Sequence, residues 1–259
     1  MKHPRNELIT LTFGDMAENH VGMEQIGSMV EEGLGFHLPD LQQIQQTMEN
    51  MGVLCELHTL SHGEQPAAYV LVLKEGVTAL LSHHSISQMD IFNEQTTLDY
   101  DKKAFMYGRV VNKHARWNLC FDNESRDPEY AAGKGRIIGY SKVPYLNQLK
   151  VQLETMMGPK AHGLKIESNY YYDTEKTGIG YHGDGERRKV IGVRVGYASM
   201  PMYWQWFKEG RPVGEPILVP LNPGDIYIMS EKAVGTDWKM KKPYTLRHAT
   251  GCKKYTHGM

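Results

Sequence analysis

The chain has 259 residues, 29 Lys+Arg against 30 Asp+Glu, a formal net charge of -1 and 41% hydrophobic residues. These are the values of an ordinary globular chain with enough length for one sizeable core, and they exclude extensive disorder and a globally basic nucleic-acid binder. Three scattered cysteines, Cys55, Cys120 and Cys252, form no CxxC pair, so neither a disulfide framework nor a Cys-rich zinc site is expected.

The opening MKHPRNELITLTFGD carries no apolar leader, and no apolar run approaches a membrane span. An intracellular protein, cytoplasmic or nuclear and away from membranes, is the expectation. The near-zero net charge conceals an uneven distribution. Residues 1–56 hold nine acids and two bases, whereas residues 239–259 hold six bases and no acid.

ELITLTF, residues 7–13, alternates apolar and polar side chains and predicts a strand. In the following GDMAENHVGMEQIGSMVEEG, Met23, Ile26 and Met29/Val30 recur at helical spacing. LPDLQQIQQTMENMGV predicts a second helix, with Asp40 as its N-cap and Gly52 as its stop. The methionines around Met23–Met29 and Met48–Met51 are expected in the core. CELHTL and AAYVLVL predict two strands separated by the turn-rich SHGEQP. Residues 1–100 thus form a small α/β N-terminal region of unassigned role, and 82–103 is expected to be a connection. From about residue 104 the sequence turns to loops and short strands rich in Gly, Asn, Arg and aromatics. VPYLNQLKVQLETMMG predicts one amphipathic helix, with Leu146, Leu149, Leu153 and Met156/Met157 on its apolar face. After it every segment is strand-like: IESNYYYD, GIGYHGD, KVIGVRVG, PMYWQWF, EPILVPL, GDIYIMS and YTLRHAT. So many short strands with little helix between them indicate an antiparallel sandwich or barrel over residues 101–259.

The sharpest chemical feature is Tyr181-His182-Gly183-Asp184. Strand side chains alternate faces, so His182 and Asp184 project to the same side. An imidazole nitrogen and a carboxylate oxygen then converge on one point, two thirds of a facial metal triad. An HxD tripeptide alone is common in solvated loops. The third ligand is expected far downstream on a neighbouring strand, and His248 in YTLRHATG, 64 residues beyond Asp184, fits.

From Asn169 to Gly251 the chain resembles the catalytic core of the Fe(II)/2-oxoglutarate-dependent oxygenases, most of all the AlkB-like group. The resemblance rests on Asn169-Tyr170-Tyr171, GIGYHGDGE, KVIGVRVG, MYWQWF and PGDIYIM in that order. It implies a double-stranded β-helix (a jelly-roll, cupin-like core) with helical flanks, α+β overall. It also implies Fe(II) on His182, Asp184 and His248, and 2-oxoglutarate and O2 as co-substrates. Succinate and CO2 would leave, and a substrate C–H bond would be oxidised, by hydroxylation or oxidative demethylation. Asn169 and Tyr171 match the family residues that hydrogen-bond the co-substrate.

The sequence departs from the AlkB-like pattern twice. Trp238 is present, but Met240 stands where that group has its distal His, and the longer interval to His248 is closer to the prolyl-hydroxylase branch. The basic residue that usually grips the distal carboxylate would fall at Gly258 or beyond, where none exists. Arg194, alone among Val and Gly in KVIGVRVG, takes that role, because an unpaired buried guanidinium is costly and a dicarboxylate would resolve the cost. A structural ion pair is the competing reading of Arg194, and Arg247, Lys253 and Lys254 are the fallbacks.

The AlkB-like core favours a nucleobase or nucleic-acid substrate, with bases at 187–189 (Arg187, Arg188, Lys189) and 239–254 tracking phosphates. Glu186 stands where that group has a substrate-side acid, and a solvated turn acid is the equal alternative. Residues 107–118, YGRVVNKHARWN, read first as ordinary barrel packing, with a lid able to stack on a base as the alternative. A protein side chain or small metabolite is the alternative substrate. A non-catalytic binding module on the same fold is a further reading, and a zinc hydrolase is a poorer one. His83, His84 and His114 have no partner at ligand spacing. Glu18-Asn19-His20 is an unusual polar cluster, readable as a loop cap or a partner surface.

Overall fold

The structure, a computed structural model, describes residues 6–257. Residues 1–5, where the leader reading begins, and Gly258 lie outside the described residues. The chain starts with β1 (Leu8–Gly14) and a short hairpin of β2 (Met16–Glu18) and β3 (Gln25–Gly27). Next come α1 (Leu38–Asn50), β4 (Cys55–Thr59), β5 (Tyr69–Leu73), α2 (Gly76–Leu81) and α3 (Gln88–Thr96). A second hairpin, β6 (Lys103–Met106) and β7 (Arg109–Asn112), precedes β8 (Trp117–Asp122), β9 (Ile137–Gly139) and α4 (Pro144–Met156). The rest is mostly strand: β10 (Lys165–Tyr171), β11 (Gly178–His182), β12 (Val190–Gly196), β13 (Met202–Lys208), β14 (Arg211–Val219), β15 (Ile226–Met229) and β16 (Thr245–Gly251). Two one-turn helices, α5 (Glu231–Val234) and α6 (Lys253–Thr256), flank β16.

The protein is a mixed α/β structure whose strands fall mainly into two sheets. One has eight strands in the order β4-β5-β15-β12-β1-β10-β8-β9, and the other has four in the order β11-β16-β13-β14. Residues 6–100, expected to form a small α/β unit, supply β4, β5 and the interior strand β1 of the larger sheet.

Period-two alternation separates two cores. Ile9, Leu11 and Phe13 of β1, Ile191, Val193 and Val195 of β12, and Ile226 and Ile228 of β15 pack against α1–α4. Leu146, Leu149 and Leu153 of α4 and Leu41, Ile44 and Met48 of α1 close that side. On the opposite face Val70, Val72, Val190, Tyr227 and Met229 meet Met202, Trp204, Trp206, Val219 and Leu246 of the smaller sheet. The molecule is therefore layered: helices, the eight-stranded sheet, then the four-stranded sheet. The polar members of the alternation, such as Thr10, Asn169 and Arg194, lie between the two sheets.

Three sequence expectations are corrected. Residues 16–33 are not helical. Gly22 and Gly27 adopt φ of 84° and 94°, and Asp15 accepts the backbone N–H of Val30, Arg188 and Lys189, tying this segment to a distant loop instead of to its own helix turns. Met23 is buried but Met29 is exposed, so helical spacing there reflected no single buried face. The connection at 82–103 contains α3, started by a capping box in which Ser87 and Asp90 exchange hydrogen bonds and anchored by Ile91 and Phe92. In α1, His37 is the N-cap and Asp40 sits at N3, accepting the His37 N–H at 2.7 Å.

Candidate metal centre and its cavity

His182 ends β11, and its cross-strand neighbour on β16 is His248. The register alone brings the two imidazoles together, with ring centroids 4.5 Å apart. Asp184 is the second residue after the strand. Its backbone N–H donates to the Val234 carbonyl at 3.0 Å, fixing it against the end of α5. Gly183 is required here, because a Cβ would stand 2.0 Å from the Gly235 carbonyl oxygen. The result is one potential ligand atom from each of His182, Asp184 and His248, all within 4.8 Å of one another. Both histidines direct Nε2 at the same oxygen, Asp184 Oδ1, at 3.5 Å. His182 Nδ1 lies 2.8 Å from the Gly180 carbonyl, which can only accept. Nδ1 therefore carries the proton, and Nε2 presents its lone pair to the cluster, as a metal ligand must. Among the described residues no other group of three such side chains meets this geometry, and His83, His84 and His114 stay apart from it.

The electrostatics keep Asp184 and His248 in ligand form. Burial alone would push the Asp184 carboxyl up. The positive charge of Arg187 outweighs it and holds the carboxyl well below the usual range. Burial, then repulsion from His182, lowers the His248 imidazole against the pull of Asp184. A carboxylate beside a neutral imidazole suits a divalent cation.

Arg187 was expected among phosphate-facing bases, and the structure corrects this. It is 3% exposed and donates to Glu167 at 2.7 Å and Glu186 at 2.6 Å, with Asp184 at 3.8 Å. Arg188 pairs with Glu231 at 3.1 Å. The charges at 187–188 are committed to internal carboxylates, and exposed basic residues remain at Lys239, Lys241, Lys242, Lys253 and Lys254.

The triad lines a cavity of about 430 Å³, within the usual range for small-molecule sites. Arg194 lies in its wall at 1% exposure. No carboxylate pairs with it among the described residues. Nη1 donates to Thr10 Oγ1 and Nη2 donates to Thr250 Oγ1 at 3.3 Å, and Nε has no partner. Thr250 gives its own hydroxyl proton to the Pro201 carbonyl at 2.7 Å, so a lone pair faces the guanidinium. Thr10 is the cross-strand neighbour of both Arg194 and Asn169, which places the three side by side on the cavity face. Tyr227, beside Arg194 at 5.7 Å, crosses over Gly192, where a Cβ would come within 2.0 Å of its ring. Burial pushes the Tyr227 phenol up to about 12, so it remains a neutral donor.

Asn169 and Tyr171 share the cavity face of β10, as the alternation predicted. Asn169 Oδ1 accepts from Arg116 Nε at 2.6 Å and Asn118 Nδ2 at 2.7 Å, and its Nδ2 donates to Glu167 at 2.7 Å. One amide N–H is left for a ligand. The fallback bases are elsewhere. Arg247 packs on Phe207 at 3.8 Å, and Lys253 and Lys254 are exposed on α6. Thr10, Thr250 and Tyr227 were missed in the sequence, because only the register assembles them.

No family model matches the chain. A relative in Acanthamoeba polyphaga mimivirus, described as "Uncharacterized protein R156", is 46% identical over 256 residues, covering 96% of this chain and 97% of that protein. The chain belongs to the family of this mimivirus protein. At that identity and coverage the two proteins share a fold.

Proposed function

We propose that this protein is an Fe(II)- and 2-oxoglutarate-dependent oxygenase whose two facing sheets form a double-stranded β-helix of jelly-roll type. The observation that carries the reading is one cavity holding two incomplete sites. A His-Asp-His face converges three potential ligand atoms on one point, and a buried guanidinium pairs with no carboxylate among the described residues. Iron with a chelating dicarboxylate satisfies both.

The residues present fit those groups. His182 Nε2, His248 Nε2 and one Asp184 oxygen would hold Fe(II), a donor set typical of non-haem iron sites with open positions. When bound, the iron, 2-oxoglutarate and O2 supply the oxidising chemistry on a substrate C–H bond, with succinate and CO2 leaving. Arg194 would grip the distal carboxylate, with Thr10 and Thr250 orienting its planar fork. Asn169 offers its remaining N–H from the adjacent strand. Met202, Tyr227 and Met229 wall the cavity with apolar surface and exclude water. Arg187 keeps Asp184 ionised and sets the negative charge of the metal face.

Succinate formation from 2-oxoglutarate by iron-loaded protein tests the reading. Turnover is expected in the wild type, weakly even without a prime substrate. A protein that binds Fe(II) but neither binds nor consumes 2-oxoglutarate contradicts it.

A further inference from the structure

The Glu18-Asn19-His20 cluster begins at the last residue of β2, and alternation divides it. Asn19 turns inward, 2% exposed, where Nδ2 donates to Asp101 at 2.8 Å and Oδ1 accepts from Lys113 at 2.6 Å. Lys113 also donates to Asn118 at 3.0 Å, and Asn118 reaches Asn169. Gly135 packs so closely on Asn19 that a Cβ would lie 2.6 Å from it. The turn is thus clamped to the same hydrogen-bonded chain that positions Asn169. Glu18 and His20, on either side of this anchor, line the cavity together with Val21 and Trp238.

Among the cavity's carboxylates Glu18 differs in its partners. Asp184 has two histidines and Arg187, and Glu167 and Glu186 share Arg187. Glu18 makes no ion pair among the described residues. Its Oε1 accepts from the Gly22 N–H and from Gln25 Nε2, both at 3.2 Å, and these are neutral donors. The basic side chains that also line the cavity lie otherwise: Arg116 is tied to Asn169, and Lys239 is exposed over the Trp238 ring at 5.5 Å. Burial and repulsion from Glu186 make an unmatched anion at Glu18 unfavourable, as the raised carboxyl attests, and an entering cation would relieve it. Val21 is 71% exposed beside it, and Trp238 offers an aromatic wall to an aliphatic stem.

We infer that Glu18 is the specificity residue for the prime substrate, and that this substrate presents an alkylammonium group, which Glu18 pairs while the attached chain lies between Val21 and Trp238. The inference rests on the oxygenase reading and names the substrate class for that cavity. An ammonium can arrive on a lysine side chain or on a free polyamine, and the two are separated by the probe used.

Calorimetric titration of the iron-loaded full-length protein tests it, with 2-oxoglutarate present and O2 excluded. The probes are Nα-acetyl-lysine methylamide, cadaverine and the uncharged Nα-acetyl-norleucine methylamide. At least one ammonium probe is expected to bind about tenfold or more tighter than the norleucine compound, as a charge-assisted pair implies. Which one binds tighter identifies the source. Glu18→Gln should remove the discrimination, and Glu18→Lys should abolish ammonium binding while 2-oxoglutarate still binds. Equal binding of charged and uncharged probes, discrimination that survives in Glu18→Gln, or tighter binding of single-stranded DNA than of either amine overturns the inference. Binding of 2-oxoglutarate to the wild type reports separately on the oxygenase reading.

Discussion

Arg187 and Arg194 line one cavity and are both almost inaccessible to solvent, yet their surroundings are opposite. Arg187 faces Glu167, Glu186 and Asp184. Arg194 faces two threonine hydroxyls and a tyrosine ring. Those three carboxylates hold the Arg187 guanidinium charged despite burial, pushing its pKa well above the usual arginine value. Burial of a guanidinium without an acid is costly, so Arg187, whose charge three carboxylates match although its Nη1 has no hydrogen-bond partner, reads as a structural charge network and Arg194 as half of an interaction. The difference separates the part of the cavity that the protein finishes by itself from the part that a ligand must finish.

Substitutions around the two arginines can break this distinction. The largest effect belongs to the metal face that Arg187 supports: Asp184→Ala or His182→Ala should abolish Fe(II) binding and reduce succinate formation to background. Next, Arg187→Met should destabilise the fold by about 3–5 kcal/mol in denaturant unfolding, because it strands buried carboxylates without a counter-charge. Arg194→Met should do the reverse. Stability should hold or rise, Fe(II) binding should persist, and the 2-oxoglutarate Kd should rise by about 100-fold, the loss of a charged bidentate contact. If both arginine variants unfold alike, the contrast fails. Thr10→Val is a milder probe of the Arg194 side, with an expected loss of about fivefold in 2-oxoglutarate affinity, one hydrogen bond's net contribution.

The smallest effect concerns Glu18. Burial and the neighbouring Glu186 raise its carboxyl from 4.5 to about 7, with Glu167 adding to the repulsion and Gln25 and Gly22 opposing it. Its folded pKa thus exceeds its unfolded value, so the folded state binds the extra proton between those limits. The stability this confers is complete below about pH 4.5 and is lost as pH rises through about 7. Because Glu18 is only partly buried, the effect on melting temperature should be a few degrees at most. Glu18→Gln should remove this part of the pH dependence and be relatively more stable at pH 8 than at pH 5. An unchanged pH profile would contradict the assigned environment.

Much of the site is legible in the sequence where one short segment carries the information. His182 and Asp184 are two residues apart, so alternation predicts them on one side; β11 ends at His182, and the Asp184 N–H bond to the Val234 carbonyl is what fixes the carboxylate beside the imidazole. Arg194 stands out because its neighbours in KVIGVRVG are apolar. The same alternation along β1, β10 and β12 marks most of the core. Legibility ends where pairing between strands decides the outcome. Thr10 and Thr250 look like ordinary strand threonines until the register sets Thr10 beside Arg194 and β16 crosses the cavity. Arg187 looks like a surface base because it sits in the loop between β11 and β12 while its partner Glu167 lies on β10. In residues 16–33 the methionines at helical spacing resemble an amphipathic face, whereas the positive-φ glycines turn the chain into a hairpin and Asp15 ties it to the distant Arg188–Lys189 backbone. Lys113 and Asn19 form a buried pair 94 residues apart in sequence, and nothing local announces it.

The central claim is that one cavity joins a metal face to a carboxylate-seeking arginine. Anaerobic calorimetric titration of 2-oxoglutarate into the protein with and without Fe(II) tests it most directly. The account expects one equivalent to bind in the presence of Fe(II), much weaker binding when iron is withheld, and a large loss of affinity in Arg194→Met at unchanged iron content. Binding of 2-oxoglutarate that is indifferent to both iron and Arg194, or no binding to the iron-loaded protein, would contradict it.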